Sequence, residues 1–124
     1  MKLTTQDFEQ IEQWIAALRS GEYKQGRMML QQLDKYCCLG VACKVIIPKD
    51  KLKFTADGKE IYGSIPDGQP SAPKWLKEIN PAFTLYYGDS LIFLNDSKEA
   101  TFTEIANLVE RFINHLKQKQ DASN

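Results

Sequence analysis

Hydrophobic positions repeat most clearly near the amino end. Phe8, Ile11, Ile15 and Leu18 recur at three- and four-residue spacing, with Trp14 at the margin of the stripe and Glu9, Glu12 and Gln13 on the other face. That period is helical. Thr4 offers an N-cap and Asp7 stands at the capping-box position. Gly21 suits the left-handed position beyond a helix end, so the spacing predicts a helix over roughly residues 5–19 that stops near Ser20.

Tyr36 to Cys43 is the longest uncharged run before Lys44 and holds all three cysteines. Read as a helix from about Cys38 to Val45, it places Leu39, Cys43, Ile46 and Ile47 on one stripe. Cys37, Gly40 and Lys44 fall on another side, where Gly40 lets a second element come close. Pro48 ends the helix. Between these two helices, Tyr23 to Arg27 reads as a loop. Met28 to Leu33 fits a short helix or a strand about equally. We place a strand at 29–31, a turn near Asp34-Lys35, and a return into Tyr36.

The second half alternates more sharply. Lys53–Ala56 and Lys59–Tyr62 flank Asp57-Gly58, a tight-hairpin signal. The glycines and prolines from Gly63 to Pro73 predict a surface loop. Ser71 caps a short helix with Pro73 in its first turn and Trp75, Leu76 and Ile79 inward, ended by Asn80-Pro81. Phe83–Tyr87 predicts a strand turned by Gly88-Asp89. Leu91–Leu94 fits a buried strand or one helical turn. Thr101 and Glu104 form a capping box before Ile105, Leu108, Val109, Phe112, Ile113 and Leu116, an amphipathic helix expected to end at about Leu116–Lys119. The reading is an α+β fold, a small and mainly antiparallel sheet against the N-terminal, central and C-terminal helices. Residues 1–119 form one globular domain and 120–124 a frayed polar tail.

Composition narrows the function classes. The apolar share of 43% and charged share of 26% fit an ordered globule. Sixteen basic residues balance sixteen acidic ones, which argues against nucleic acid as a partner. No apolar run reaches the length of a membrane span, and Met1–Asp7 lacks an apolar signal core. The expectation is a cytoplasmic protein with reduced thiols, no membrane partner and no cofactor.

Three sets of polar residues carry candidate chemistry. Cys37 or Cys38, at a helix start, could be a nucleophile with His115, the sole histidine, as its base. Three packed small residues and a surface histidine explain the same pattern more simply. Cys37, Cys38, Cys43 and His115 do not have zinc-site spacing. Arg19, Ser20, Tyr23 and Gln25 follow the first helix, where Arg and Tyr can hold an anion or stack on a base. Helix-end chemistry is the plainer account. Asn95-Asp96 could bind a ligand or metal, or serve a turn. Tyr86, Tyr87, Phe83 and Phe93 could form a sheet face for nucleobases, but core or a partner surface fits better without basic neighbours.

Three segments together carry a resemblance: Trp14-x-x-Ala17-Leu18-Arg19-Ser20-Gly21-x-Tyr23-x-Gln25, Tyr36-Cys37-Cys38-Leu39-Gly40-Val41-x-Cys43, and Leu94-Asn95-Asp96 followed by Thr101-Phe102-x-Glu104-Ile105-Ala106. Their order resembles a family of small uncharacterised proteins common in bacteriophage and prophage genomes. The Tyr-Cys-Cys-Leu-Gly-Val segment is the most specific, and the stretch from Lys49 to Asn80 carries no match. Ala42 and Lys44 depart from the pattern, at positions where a larger aliphatic and an acidic residue are usual. The resemblance brings no catalytic role. It implies a viral context, in which small proteins outside the virion often bind a host protein, a nucleotide signal or a nucleic acid. It also places Arg19, Ser20, Tyr23, Gln25, Asn95 and Asp96 in one shared pattern. The expected function is therefore binding of a host or defence target, protein or small anionic nucleotide-like ligand, in the bacterial cytoplasm. The alternative is an enzyme with Cys37 or Cys38 as nucleophile.

Overall fold

A computed structural model describes residues 1–123. The Thr4–Asp7 capping box is formed in both directions, and it opens α1, Thr5–Arg19. Gly21 follows with φ of +77°, the left-handed turn that carries the chain away from the helix. Three two-residue strands come next: β1 (Lys24–Gln25), β2 (Gln31–Gln32) and β3 (Lys35–Tyr36). They form a mixed sheet in the order β1-β3-β2, with β1 parallel to β3 and β2 antiparallel to it. The strand expected at 29–31 is found at Gln31–Gln32, and the turn falls at Leu33-Asp34. Lys24–Gln25, read from sequence as loop, pairs because its partner strand is brought alongside from a distance in the chain.

Cys37 caps α2, Cys38–Ile46. Its core face and the buried face of α1 meet directly. Trp14, expected at the margin of the stripe, is wholly buried, and its Nε1 donates to the Cys38 carbonyl at 2.9 Å. Gly40 allows the close approach expected of it: a Cβ there would lie 1.8 Å from the Leu30 carbonyl oxygen. The expected hairpin is reduced to a single antiparallel bridge, Phe54 to Ile61, around the Asp57-Gly58 turn.

The next element differs most from expectation. α3 spans Lys74–Tyr87 and runs straight through Asn80-Pro81. Pro73, not Ser71, occupies its N-cap position, without a side-chain cap. Phe83–Tyr87 is therefore helix, not strand. Its placement is decided by packing: Phe83 is fully buried edge-on to Phe112, with ring centroids 5.8 Å apart. Beside the proline, Thr84 Oγ1 donates to the Asn80 carbonyl at 2.7 Å. Leu91–Asp96 forms α4, with Ser90 Oγ accepting from the Phe93 amide. The Thr101–Glu104 capping box is present and α5 runs from Phe102 to Ser123. This helix passes the expected stop at Leu116–Lys119. Gln120, expected in a frayed tail, is instead bonded in both directions to the backbone of Leu3, at 2.8 and 3.1 Å. Asn124, the last residue of that tail, lies outside the described residues.

The result is an α+β fold in which α1, α2, α3 and α5 surround one apolar core. Its centre holds Trp14 and Trp75, with ring centroids 5.8 Å apart, together with Ile11, Val41, Ile79, Leu91 and Ile105. Trp75 Nε1 reaches Gln10 Oε1 at 2.7 Å, so both indole donors are satisfied. The loop 63–73 is less exposed than its composition suggested. Gln69 within it is fully buried, accepting from Lys53 N and donating to the carbonyls of Lys53 and Tyr62. Among the described residues, no helix is long and apolar enough to cross a membrane.

Candidate functional site

The polar residues singled out in the sequence divide into two groups. Gln25, Asn95 and Asp96 converge; Arg19, Ser20 and Tyr23 do not join them. Arg19 points to α5, donating to Glu110 at 3.1 Å and to Asn107 at 2.8 Å. The bonded guanidinium holds the Glu110 carboxyl below its usual range. Ser20 Oγ donates back to the Ala17 carbonyl, closing α1. Tyr23 packs edge-on against Tyr36, with centroids 5.5 Å apart. Each of these three has a helix-end or packing role.

Asn95 is fully buried near the end of α4 and uses both ends of its amide. Oδ1 accepts from the Cys38 amide at 3.2 Å and from Gln25 Nε2 at 3.0 Å. Nδ2 donates to the Gly26 carbonyl at 2.9 Å and to Asp96 Oδ1 at 2.8 Å. Gln25 continues the chain of bonds: Nε2 also donates to the Ala100 carbonyl at 2.7 Å, and Oε1 accepts from Phe102 N at 3.1 Å. Phe102 is the first residue of α5, so Gln25 acts as a remote cap for one of the amides a helix start leaves unpaired. One amide pair thus joins β1, the start of α2, the end of α4 and the start of α5. In a buried setting each such bond contributes about 1 kcal/mol, and leaving one group unmade costs more.

Asp96 lies at the outer end of this network. Its Oδ1 also accepts from the Met28 amide at 3.0 Å. That bond secures a residue with φ of +72°, a left-handed backbone unusual for a side chain of this size. Met28 is 81% exposed.

Beside Asp96 is an apolar cleft of about 100 Å³. Leu30, Cys37, Cys38, Leu39, Ile65 and Asn95 line it, and Met28, Met29, Ile92 and Asp96 stand at its edge. Met29 is 49% exposed and Ile92 48%, so the apolar surface continues from the cleft onto its rim. The sequence offered Asn95 and Asp96 but not the rim. Met28, Met29 and Ile92 read as ordinary apolar positions of short elements, and only the fold shows that they face outward together.

The cysteines do not assemble with a base. Cys37 Sγ accepts from the Gly40 amide at 3.4 Å, as an N-cap. Burial pushes its thiol up to about 11, outweighing the amides of Gly40 and Leu39, which favour the thiolate. Burial raises Cys43 to about 12 and Cys38 well above its ordinary value. His115 is exposed on α5 and lies tilted against Tyr86 with ring centroids 5.1 Å apart, lining a different groove with Leu85, Phe112 and Lys119. Among the described residues, no three His, Cys, Asp or Glu side chains gather as a metal site. Tyr86 and Tyr87 belong to a helix face, not the sheet face the sequence suggested; Tyr87 stacks on Phe83, and Tyr86 lies tilted against Phe112.

Fold and cleft together define a small α+β domain whose central helix begins at an apolar surface depression edged by one carboxylate. The chain belongs to the family described as a domain of unknown function, DUF8296, which matches residues 7–113. No curated protein and no solved structure matches the chain.

Proposed function

We propose that this protein works by binding another protein, one apolar side chain of which seats in the cleft beside Asp96. The observation that carries this reading is the continuity of the cleft with its rim. Met28, Met29 and Ile92 line it and stay exposed, an arrangement that loses free energy in water until a partner covers it. Methionines also suit a surface that must adapt to a partner. The size of this cleft suits one side chain. Small-molecule pockets run to roughly 300–1,000 Å³, whereas about 100 Å³ is room for a single aliphatic side chain. The two arginines nearest the candidate polar residues, Arg19 and Arg27, are paired with Glu110 and Glu99. The bacteriophage setting, with a host or defence protein as target in the bacterial cytoplasm, belongs to the same proposal and is supported by the motif resemblance.

Native mass spectrometry after exposure to a bacterial lysate tests the reading, comparing wild type with Ile92→Asp and Arg19→Ala. A protein mass retained by wild type and Arg19→Ala but lost from Ile92→Asp is the expected result. Equal retention by Ile92→Asp, or a retained small molecule in place of a protein, would overturn it.

A further inference from the structure

We infer that the segment seated in the cleft carries one aliphatic side chain beside a basic residue, and that Asp96 selects for that basic residue. The inference rests on the binding role proposed above and specifies the chemistry of the partner.

The carboxylate is half used. Oδ1 takes both intramolecular bonds, from the Met28 and Asn95 nitrogens, while Oδ2 takes no hydrogen bond or ion pair among the described residues. Asp96 is the only carboxylate among the residues lining the cleft; the other lining side chains are apolar or thiol groups, the Asn95 amide and the Ser64 hydroxyl. Three basic side chains on the neighbouring elements already have carboxylate partners. Arg27 pairs with Glu99 at 3.0 Å, Lys24 with Asp34 at 2.8 Å, and Lys98 with Asp89 at 3.4 Å. The site therefore offers an apolar hole with a carboxylate oxygen at its edge and no neighbouring cation paired to that oxygen. A partner residue that donates a charge-assisted bond there gains, and an acidic one is repelled.

The backbone around Asp96 also keeps this oxygen in place. Oδ1 is held from two sides, by Met28 N on the rim and by the buried Asn95, which leaves Oδ2 as the oxygen open to a partner. Preorganisation of this kind favours selection, since the partner does not have to order the group it contacts.

Two capped hexapeptides, Gly-Ser-Leu-Lys-Ser-Gly and Gly-Ser-Leu-Glu-Ser-Gly, test the inference when titrated into ¹⁵N-labelled protein. The lysine peptide should shift the backbone amides of Met29, Cys38 and Ile92 and bind about tenfold more tightly than the glutamate peptide, the size expected for one charge-assisted bond. Asp96→Asn should reduce the difference to about twofold or less, and its spectrum reports at once whether the variant is folded. Equal binding of the two peptides by wild type overturns the role of Asp96, and this comparison needs no variant. Absence of shifts with either peptide overturns the peptide inference, while the binding role is judged separately by the Ile92→Asp capture comparison.

Discussion

Truncating Asn95 to alanine is the most informative perturbation of the fold around the cleft. It removes four hydrogen bonds at a fully buried position. Two partners keep another bond: Gln25 Nε2 retains the Ala100 carbonyl and Asp96 Oδ1 retains the Met28 amide. The Cys38 amide and the Gly26 carbonyl lose the bond Asn95 gives them and have no other side-chain partner there. Two lost shared bonds at about 1 kcal/mol each, the orphaned buried Cys38 amide at about 1–3 kcal/mol and the partly buried Gly26 carbonyl at about 1 kcal/mol give about 4–6 kcal/mol. Against a total of about 5–15 kcal/mol for an ordinary domain, that is a large fraction. Urea unfolding followed by the fluorescence of Trp14 and Trp75, both buried, measures it directly. A lowered midpoint with an unchanged slope is the expected result. Asn95→Asp should be worse still, because it turns an oxygen toward the Gly26 carbonyl and Asp96 Oδ1, where Nδ2 now donates. A loss under about 1 kcal/mol for Asn95→Ala would refute the view that this amide joins four elements.

Gly40→Ala should destabilise by about 2–3 kcal/mol despite alanine's better helix propensity, because the new methyl meets the Leu30 backbone at 1.8 Å; a chemical denaturation curve at or above wild type would contradict this. Pro81→Ala should raise the melting temperature, since it restores a helix amide inside α3 and removes a residue that disfavours helix interiors by about 3 kcal/mol; calorimetry checks it, and a lower Tm would count against the assigned helix. The thiols give a pH dependence of definite sign. A folded thiol with its pKa raised contributes stability that is present below its ordinary value of 9.0 and is lost as pH rises through the folded value, about 11 for Cys37 and about 12 for Cys43. Stability should therefore fall above pH 9, and Cys37 should alkylate slowly at neutral pH; fast labelling of one cysteine below pH 7 would instead support the nucleophile reading.

Much of the fold was legible where local and global preferences agree. Thr4 with Asp7, and Thr101 with Glu104, mark helix starts that the structure keeps, and the period of Phe8 to Leu18 gives α1 at its observed limits. Gly40 was read correctly as a point of close approach because an uncharged helix needs one face open to a neighbour. The errors arise where packing overrides local signals. Asn80-Pro81 reads as a terminator and Phe83–Tyr87 as a strand, yet burial of Phe83 against Phe112 holds the helix through the proline. Ser90 was an available cap signal for α4, and it would have decided between strand and helix at Leu91–Leu94.

The candidate site was half legible. Gln25, Asn95 and Asp96 meet, but only the fold shows that Gln25 and Asn95 are consumed in joining elements while Asp96 reaches the cleft. Arg19, Ser20 and Tyr23 lie close in sequence to Gln25, and their partners on α5, α1 and β3 draw them elsewhere. The rim of Met28, Met29 and Ile92 had no periodic signature, because it is assembled from a loop and a six-residue helix separated by about half the chain.

The central claim is that the Met28–Ile92 face is where a partner docks. Site-specific photo-crosslinking addresses it most directly. A benzophenone amino acid is placed at Met28 in one protein and at Leu85, 91% exposed on α3, in another. Both are irradiated in the bacterial lysate. One discrete protein adduct is expected from position 28 and none from position 85. The same adduct from both positions, an adduct from 85 alone, or none from 28 would contradict it.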